Sequence, residues 1–446
     1  MRNNSGYNIV ELDYSSNLVN KGIATASDTV TFNADNFKFN LQRFNDPIVL
    51  TMKEDGLYAD DSKLELMSTG DKTKPCSYYN LGGASYVVKE NIQIDHPIWV
   101  SGETTIDVES GATLSKDITV KAEDHVICVR RGATLTLDGE GTISYVSEIN
   151  STAPVGCGVK LTPHTETTGE RTTLIVNGNL TIEGPNYGIA GNGGRHNTAI
   201  TINGGTIRST TDDLDSAGIY HSQNGTLTIN GGTITGLTSG IEIRAGSLTV
   251  TGGKITSSAD EFGFNSNGGG ATTKGAGVAV VQHTSKLNIT VDISGGELSG
   301  AVALVASNPQ NNGSFSETVG TVNINITGGS FTSTSTNTER KITTKKITYS
   351  GKELTQYVLI GKNAMFNADG RLDISISNAK IDGDLATITD NRGMDAVAQP
   401  RTSSNSKPNW IQRRLRTWRS RSTTLITGSL KVTLRTAILR WRKRGS

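Results

Sequence analysis

TLTINGGTIT, residues 226–235, decides the reading of this chain because it recurs. Copies stand as AITINGGTIR at 199–208, SLTVTGGKIT at 247–256, TVDISGGELS at 290–299 and NINITGGSFT at 323–332. Each alternates apolar and polar residues, reaches a Gly-Gly corner, and starts a second short alternating run. Alternation marks a strand, since successive side chains point to opposite faces. The glycine pair supplies backbone angles for a sharp turn. Aligned on the corner, the copies place Ile202, Ile229, Val250, Ile293 and Ile326 in one column, with Ile200, Leu227, Leu248, Val291 and Ile324 two residues earlier. After the corner the column reads Ile207, Ile234, Ile255, Leu298 and Phe331.

Weaker copies extend the pattern, TLTLDGEGTIS (134–144) upstream and DISISNAKI (373–381) downstream. A third run closes each period: AGIYHSQNG (217–225), SGIEIRAG (239–246), AGVAVVQ (276–282). Three short strands per period describe one coil of a parallel β-helix, whose apolar faces are buried by stacking on neighbouring coils. The prediction is an all-β, right-handed parallel β-helix of three-strand coils, about nine or more rungs, with an N-terminal cap. Residues 1–75 read as the polar cap, 76–390 as the β-helix and 391–446 as a basic tail. The corner-preceding series begins with Val108, Leu137 and Val176 and ends with Ile376. Upstream, strands are expected at Tyr86–Val88, Ile92–Ile94, Ile98–Val100 and Ile106–Val108. The excess between coils must leave as loops, at 145–158, 208–216, 257–275 and 307–320, and loops on a rigid scaffold are where binding tends to sit.

With the opening YNLGGASYVVKENIQIDHPIWVSGETTIDVESGATLS (79–115) and the GGTIT copies, residues 80–385 resemble the right-handed β-helix domains of bacterial surface and secreted repeat proteins, in the pectate-lyase-like superfamily. The resemblance implies a fold more than an activity, since that fold carries lyases, hydrolases, adhesins and phage spikes alike.

Composition agrees with a thin core and many turns: 34% hydrophobic residues and 51 glycines. The formal charge of +1 conceals a division. Residues 401–446 hold 13 of the 43 Lys and Arg and no acid, which leaves 30 basic against 42 acidic residues, net −12, for the rest. The tail holds three of the four tryptophans and lacks the corner pattern. It reads as a disordered basic arm able to bind an anionic polymer, or as an out-of-frame translation beginning near residue 390. Cys76, Cys128 and Cys157 are at no metal-ligand spacing, and an odd count argues against a disulfide framework. No run reaches the ~20 apolar residues of a membrane helix. The N-terminal stretch has no apolar core of a secretory signal; a secreted or cell-surface location is expected on the resemblance alone. No cofactor is expected.

The third strand carries the most varied outward residues. With Ile219 and Ile241 inward, Tyr220 and Glu242 are outward neighbours on successive coils, preceded in that column by Lys160 and Ala190 and followed by Ala279 and Ala303. Arg244 is next along, level with Ser222 and Asn192, and the feeding loop adds Asp212, Asp213 and Asp215. Tyr220, Glu242, Arg244 and Asp215 form the candidate binding patch, because sugars offer apolar faces and hydroxyls together. On this reading Glu242 is solvated, and Glu242→Gln or Asp213→Asn is expected to leave the protein folded and its binding little changed. The leading function is a non-enzymatic, adhesin-like scaffold that contacts glycans or host surfaces. A polysaccharide lyase or glycoside hydrolase using Asp212, Asp213 and Glu242 is the alternative, because such hydrolysis needs two carboxylates at a set separation. A phage tail-spike-like protein is a third. The order Asp-Asp, His221, Arg244 resembles the polygalacturonase type of hydrolase, but that family spreads the Asp pair and His over different coils. Here His221 follows Asp213 by eight residues, in register with the inward Ile243, so those roles are not transferred. Threonine columns on the other faces are interrupted by Lys254, Asp292 and Glu297 and read as solvated strand residues.

Overall fold

A computed structural model describes residues 7–14, 37–43, 47–68, 76–116, 125–145, 156–162, 169–191, 196–211, 216–264, 273–281, 287–307, 320–339, 341–349, 352–367, 373–387, 424–425 and 432–434. Residues 1–48 and 49–446 form two compact units. In the first, Tyr7–Tyr14 pairs antiparallel with Phe37–Arg43.

The second unit is a right-handed parallel β-helix of three-strand coils. Its three long sheets contain 14, 11 and 12 strands. The first face holds the strands before each corner, such as Asn224–Ile229; the second holds those after it, such as Thr233–Gly236; the third holds the closing runs, such as Ser239–Ile243. Ten successive coils run from Ser77–Gly82 to Lys380–Asp382, followed by Asp384–Thr387. At one end Ile48–Lys53, Gly56–Ala59 and Ser62–Lys63 extend the first face, the last two joining as antiparallel strands, and Leu66–Ser68 pairs antiparallel with the third. At the other, Thr424–Leu425 and Val432–Leu434 pair antiparallel with Lys380–Asp382 and Asp373–Ile376. The rest of 391–446 lies outside the described residues.

The apolar columns pair rung on rung. Leu137, Val176, Ile202, Ile229, Val250, Ile293, Ile326 and Ile376 form one unbroken ladder. Ile143, Ile182, Ile207, Ile234, Ile255, Leu298, Phe331 and Ile381 form another. Most of these side chains have no solvent contact. Each such burial stabilises by roughly 1.5–3 kcal/mol relative to an exposed side chain. A stacked solenoid collects that term at every level.

The two corner glycines do different work. The second adopts φ near +80°, as at Gly205 (+81°), Gly232 (+80°) and Gly253 (+80°). The first is required for space: a Cβ on Gly231 would lie 2.5 Å from the Asn203 carbonyl oxygen of the coil below. Outside the corner an amide ladder runs from coil to coil. Asn203 donates to Asn177 (2.9 Å), Asn230 to Asn203 (2.8 Å) and Thr251 to Asn230 (2.8 Å).

Two register assignments differ from the sequence reading. Leu137 pairs with Ile106, and Val108 lies opposite Gly139, so Val108 is not in the corner-preceding column. The Val108 carbonyl instead accepts from the amides of Glu140 (3.0 Å) and Gly141 (2.8 Å) as the chain turns at Gly139, φ +102°. On the third face Val305, not Ala303, follows Ala279. Both errors are slips of two residues, which leave the alternation intact and are invisible to periodicity.

Among the described residues two excursions leave the coils: the stretch after Lys254–Ser257, which contains the pair Gly263–Phe264/Thr273–Lys274, and the antiparallel hairpin Lys341–Tyr349/Lys352–Ile360. Ala279, Val305 and Phe366 occupy the outward column of the third face. They join Phe262, Val281 and Leu359 in a second apolar cluster outside the sheet, where Phe262 meets Phe366 edge-on at 5.6 Å.

Candidate functional site

The outward column of the third face runs Trp99, Cys128, Lys160, Ala190, Tyr220, Glu242, Ala279. Its position follows from inward Ile189, Ile219 and Ile241, which are fully buried and force their neighbours outward. Tyr220 and Glu242 are therefore adjacent, as the sequence indicated, and Arg244 lies level with Ser222 through its amide bond to the His221 carbonyl (2.9 Å).

Their environment is not the solvated one expected. Glu242 is 0% exposed and Arg244 4%. The Arg244 Nε donates to Glu242 Oε1 at 2.9 Å, and the Thr273 amide donates to Oε2 at 3.2 Å. Thr273 belongs to the excursion after residue 257, so Glu242 ties that strap to the sheet. Its apolar anchor is Phe262 in the outer cluster. Burial alone would lower the Arg244 pKa; the adjoining Glu242 charge and Tyr220 outweigh it and hold the guanidinium above its ordinary value. The Arg244 guanidinium lies 5.1 Å from the Tyr220 ring centre, and Tyr220 stacks on Tyr187 of the preceding coil at 5.0 Å and 17°. Both tyrosines are half-buried. Asp212, Asp213 and Asp215 lie outside the described residues.

His221 points inward, paired with Ile243, and is fully buried. Desolvation pushes its pKa down to about 4, so the ring is neutral at ordinary pH. It faces the core, away from the Tyr220 surface.

Comparison with family models, curated proteins and solved structures finds no match. The chemistry of the residues must carry the functional reading. Among the described residues no group of three or more His, Cys, Asp or Glu is placed to hold a metal ion. No described helix is long and apolar enough to cross a membrane.

A second aromatic group on the same face was not expected from the sequence. Tyr78 stacks on Trp99 at 3.9 Å and 13°, and the Arg130 guanidinium lies 5.0 Å from the Trp99 ring and 5.7 Å from Tyr78. Arg130 stands two residues beyond Cys128, as Arg244 stands two beyond Glu242, and its amide bonds the coil below in the same way (Val100 carbonyl, 3.1 Å). Trp99 and Arg130 thus occupy the register of Tyr220 and Arg244 four coils apart, about 19 Å at the usual strand spacing, while the second rings, Tyr78 and Tyr187, differ in register by one residue. The strand His125–Val129, which places Arg130, has no Gly-Gly corner near it and reads as apolar from Val126 to Val129. Only the coil count reveals the equivalence.

Proposed function

We propose that the protein is a non-enzymatic β-helix scaffold, adhesin-like, that contacts glycans through the outward surface of its third face. We place it with the right-handed β-helix repeat domains of bacterial surface and secreted proteins, in the pectate-lyase-like superfamily, and accordingly at the cell surface or outside it. The observation that carries the reading is the Tyr187–Tyr220 stack with Arg244 against it, on a sheet whose backbone is fixed by ladders on both sides. Half-buried rings on a rigid support offer apolar area to a sugar face at little entropic cost. Glu242 favours binding over catalysis. Both its oxygens are engaged and it is out of contact with solvent, whereas an acid or base must reach the proton it transfers.

The test incubates the full chain with a panel of neutral and acidic polysaccharides, measuring binding and new reducing ends in parallel. Binding without cleavage, weakened by Tyr220→Ala in a folded protein, is expected. Cleavage lost on Asp213→Asn would replace the scaffold reading with the hydrolase one.

A further inference from the structure

The equivalence of the two aromatic–arginine groups makes one of them a guide to the other. At Tyr187–Tyr220 the arginine that caps the rings is neutralised by a carboxylate of its own chain, Glu242, at 2.9 Å. At Tyr78–Trp99 the residue in the Glu242 column is Cys128, whose sulfur contacts the Thr162 hydroxyl at 3.5 Å and supplies no charge. Arg130 is exposed, and among the described residues no carboxylate pairs with it. The indole N–H of Trp99 beneath it is buried, with no acceptor among the described residues, so Arg130 is the donor that the group presents. The group lacks the acceptor that completes its counterpart.

We propose that Arg130, over Trp99 and Tyr78, anchors a second glycan contact on its exposed side, where the carboxylate of a single acidic sugar supplies from outside the counter-charge that Glu242 gives Arg244 four coils on. The inference rests on the reading of the protein as a glycan-contacting scaffold and names the chemistry of one ligand. An arginine fork suits a planar carboxylate, and its charge-assisted bonds are the strong ones. A lone acidic sugar fits better than a polyuronate. Residues 1–400 carry 30 basic against 42 acidic side chains, net −12, so a polyanion laid along this body meets repulsion beyond the first contact.

The experiment titrates the full chain by calorimetry with three probes: sialyllactose, which carries one carboxylate; lactose, its neutral core; and a linear hexuronate tetrasaccharide. Variants are Arg130→Gln, and Cys128→Glu, which restores an internal carboxylate. Sialyllactose is expected to bind at least about tenfold more tightly than lactose, with the difference lost in Arg130→Gln. Cys128→Glu, if folded by circular dichroism, should lose it too; Arg130→Gln decides the matter if it does not fold, because Arg130 is exposed. Equal binding of sialyllactose and lactose, or a preference that survives Arg130→Gln, overturns the inference but leaves glycan contact standing if lactose still binds. Tighter binding of the tetrasaccharide that is lost in Arg130→Gln refutes the single-acid preference, whereas tetrasaccharide binding that survives Arg130→Gln belongs to the basic tail and leaves the preference to be judged on sialyllactose and lactose. Binding of none of the probes removes this site; the Tyr220 polysaccharide panel then judges the scaffold reading separately.

Discussion

Truncating Glu242 should destabilise the protein as few surface carboxylates could. The side chains of Glu242 and Arg244 are 0% and 5% exposed, and Glu242→Ala would leave the guanidinium buried without its counter-charge and the Thr273 amide without its acceptor. Removing one partner of such a pair costs about 3–5 kcal/mol. With a urea dependence near 3 kcal/mol/M, the unfolding midpoint falls by about 1–1.7 M. Glu242→Gln keeps an acceptor but not the charge, and should fall between. Replacing both residues by leucine should cost less than Glu242→Leu alone, since it removes the unpaired charge. Glu183–Arg208 is an internal control at 2.6 Å with Arg208 51% exposed, and Arg208→Ala should cost no more than about 1 kcal/mol. The assay is urea unfolding followed by circular dichroism on all variants. If Glu242→Ala shifts the midpoint no more than Arg208→Ala does, the pair is not buried as described and the strap is not tied down through it.

The remaining predictions concern pH, the corners and the outer cluster. His221 has a folded pKa near 4 against an ordinary 6.5, so its stabilising share is complete above pH 6.5 and is lost as pH falls through about 4. The loss is ~3 kcal/mol, and His221→Leu should flatten that part of the acid unfolding curve. Gly111 has φ +81° and open space around a Cβ, so Gly111→Ala should cost only the ~1–2 kcal/mol of left-handed backbone, and Gly111→Asn less. Gly231 is crowded rather than left-handed. Gly231→Ala and Gly231→Asn should both be worse in thermal melts, because the Asn203 carbonyl cannot yield without opening the coil spacing. Phe366→Ala should cost ~3–5 kcal/mol, and combined with Phe262→Ala should be less than additive by chemical denaturation, as the two rings share one cluster.

The sequence by itself determined the coil. Alternation and the Gly-Gly corner depend on local backbone geometry, and the apolar columns 202–326 and 207–331 need only the period, so both ladders could be written down from the copies. Tyr220 beside Glu242 followed for the same reason. Tertiary structure decided the rest, because it depends on what comes back over the sheet. Whether Glu242 meets water depends on the strap bearing Phe262 and Thr273, and nothing in SGIEIRAG records that those residues fold onto it. Apolar Ala279 and Val305 in an outward column did hint that something covers the third face. The Ala303/Val305 and Val108/Ile106 slips escaped because a shift of two residues preserves every inward–outward assignment. Arg130 and Arg244 lie 114 positions apart with loops of unequal length between. Only stacking, which counts coils instead of residues, sets them in one column and shows that one has its carboxylate and the other does not.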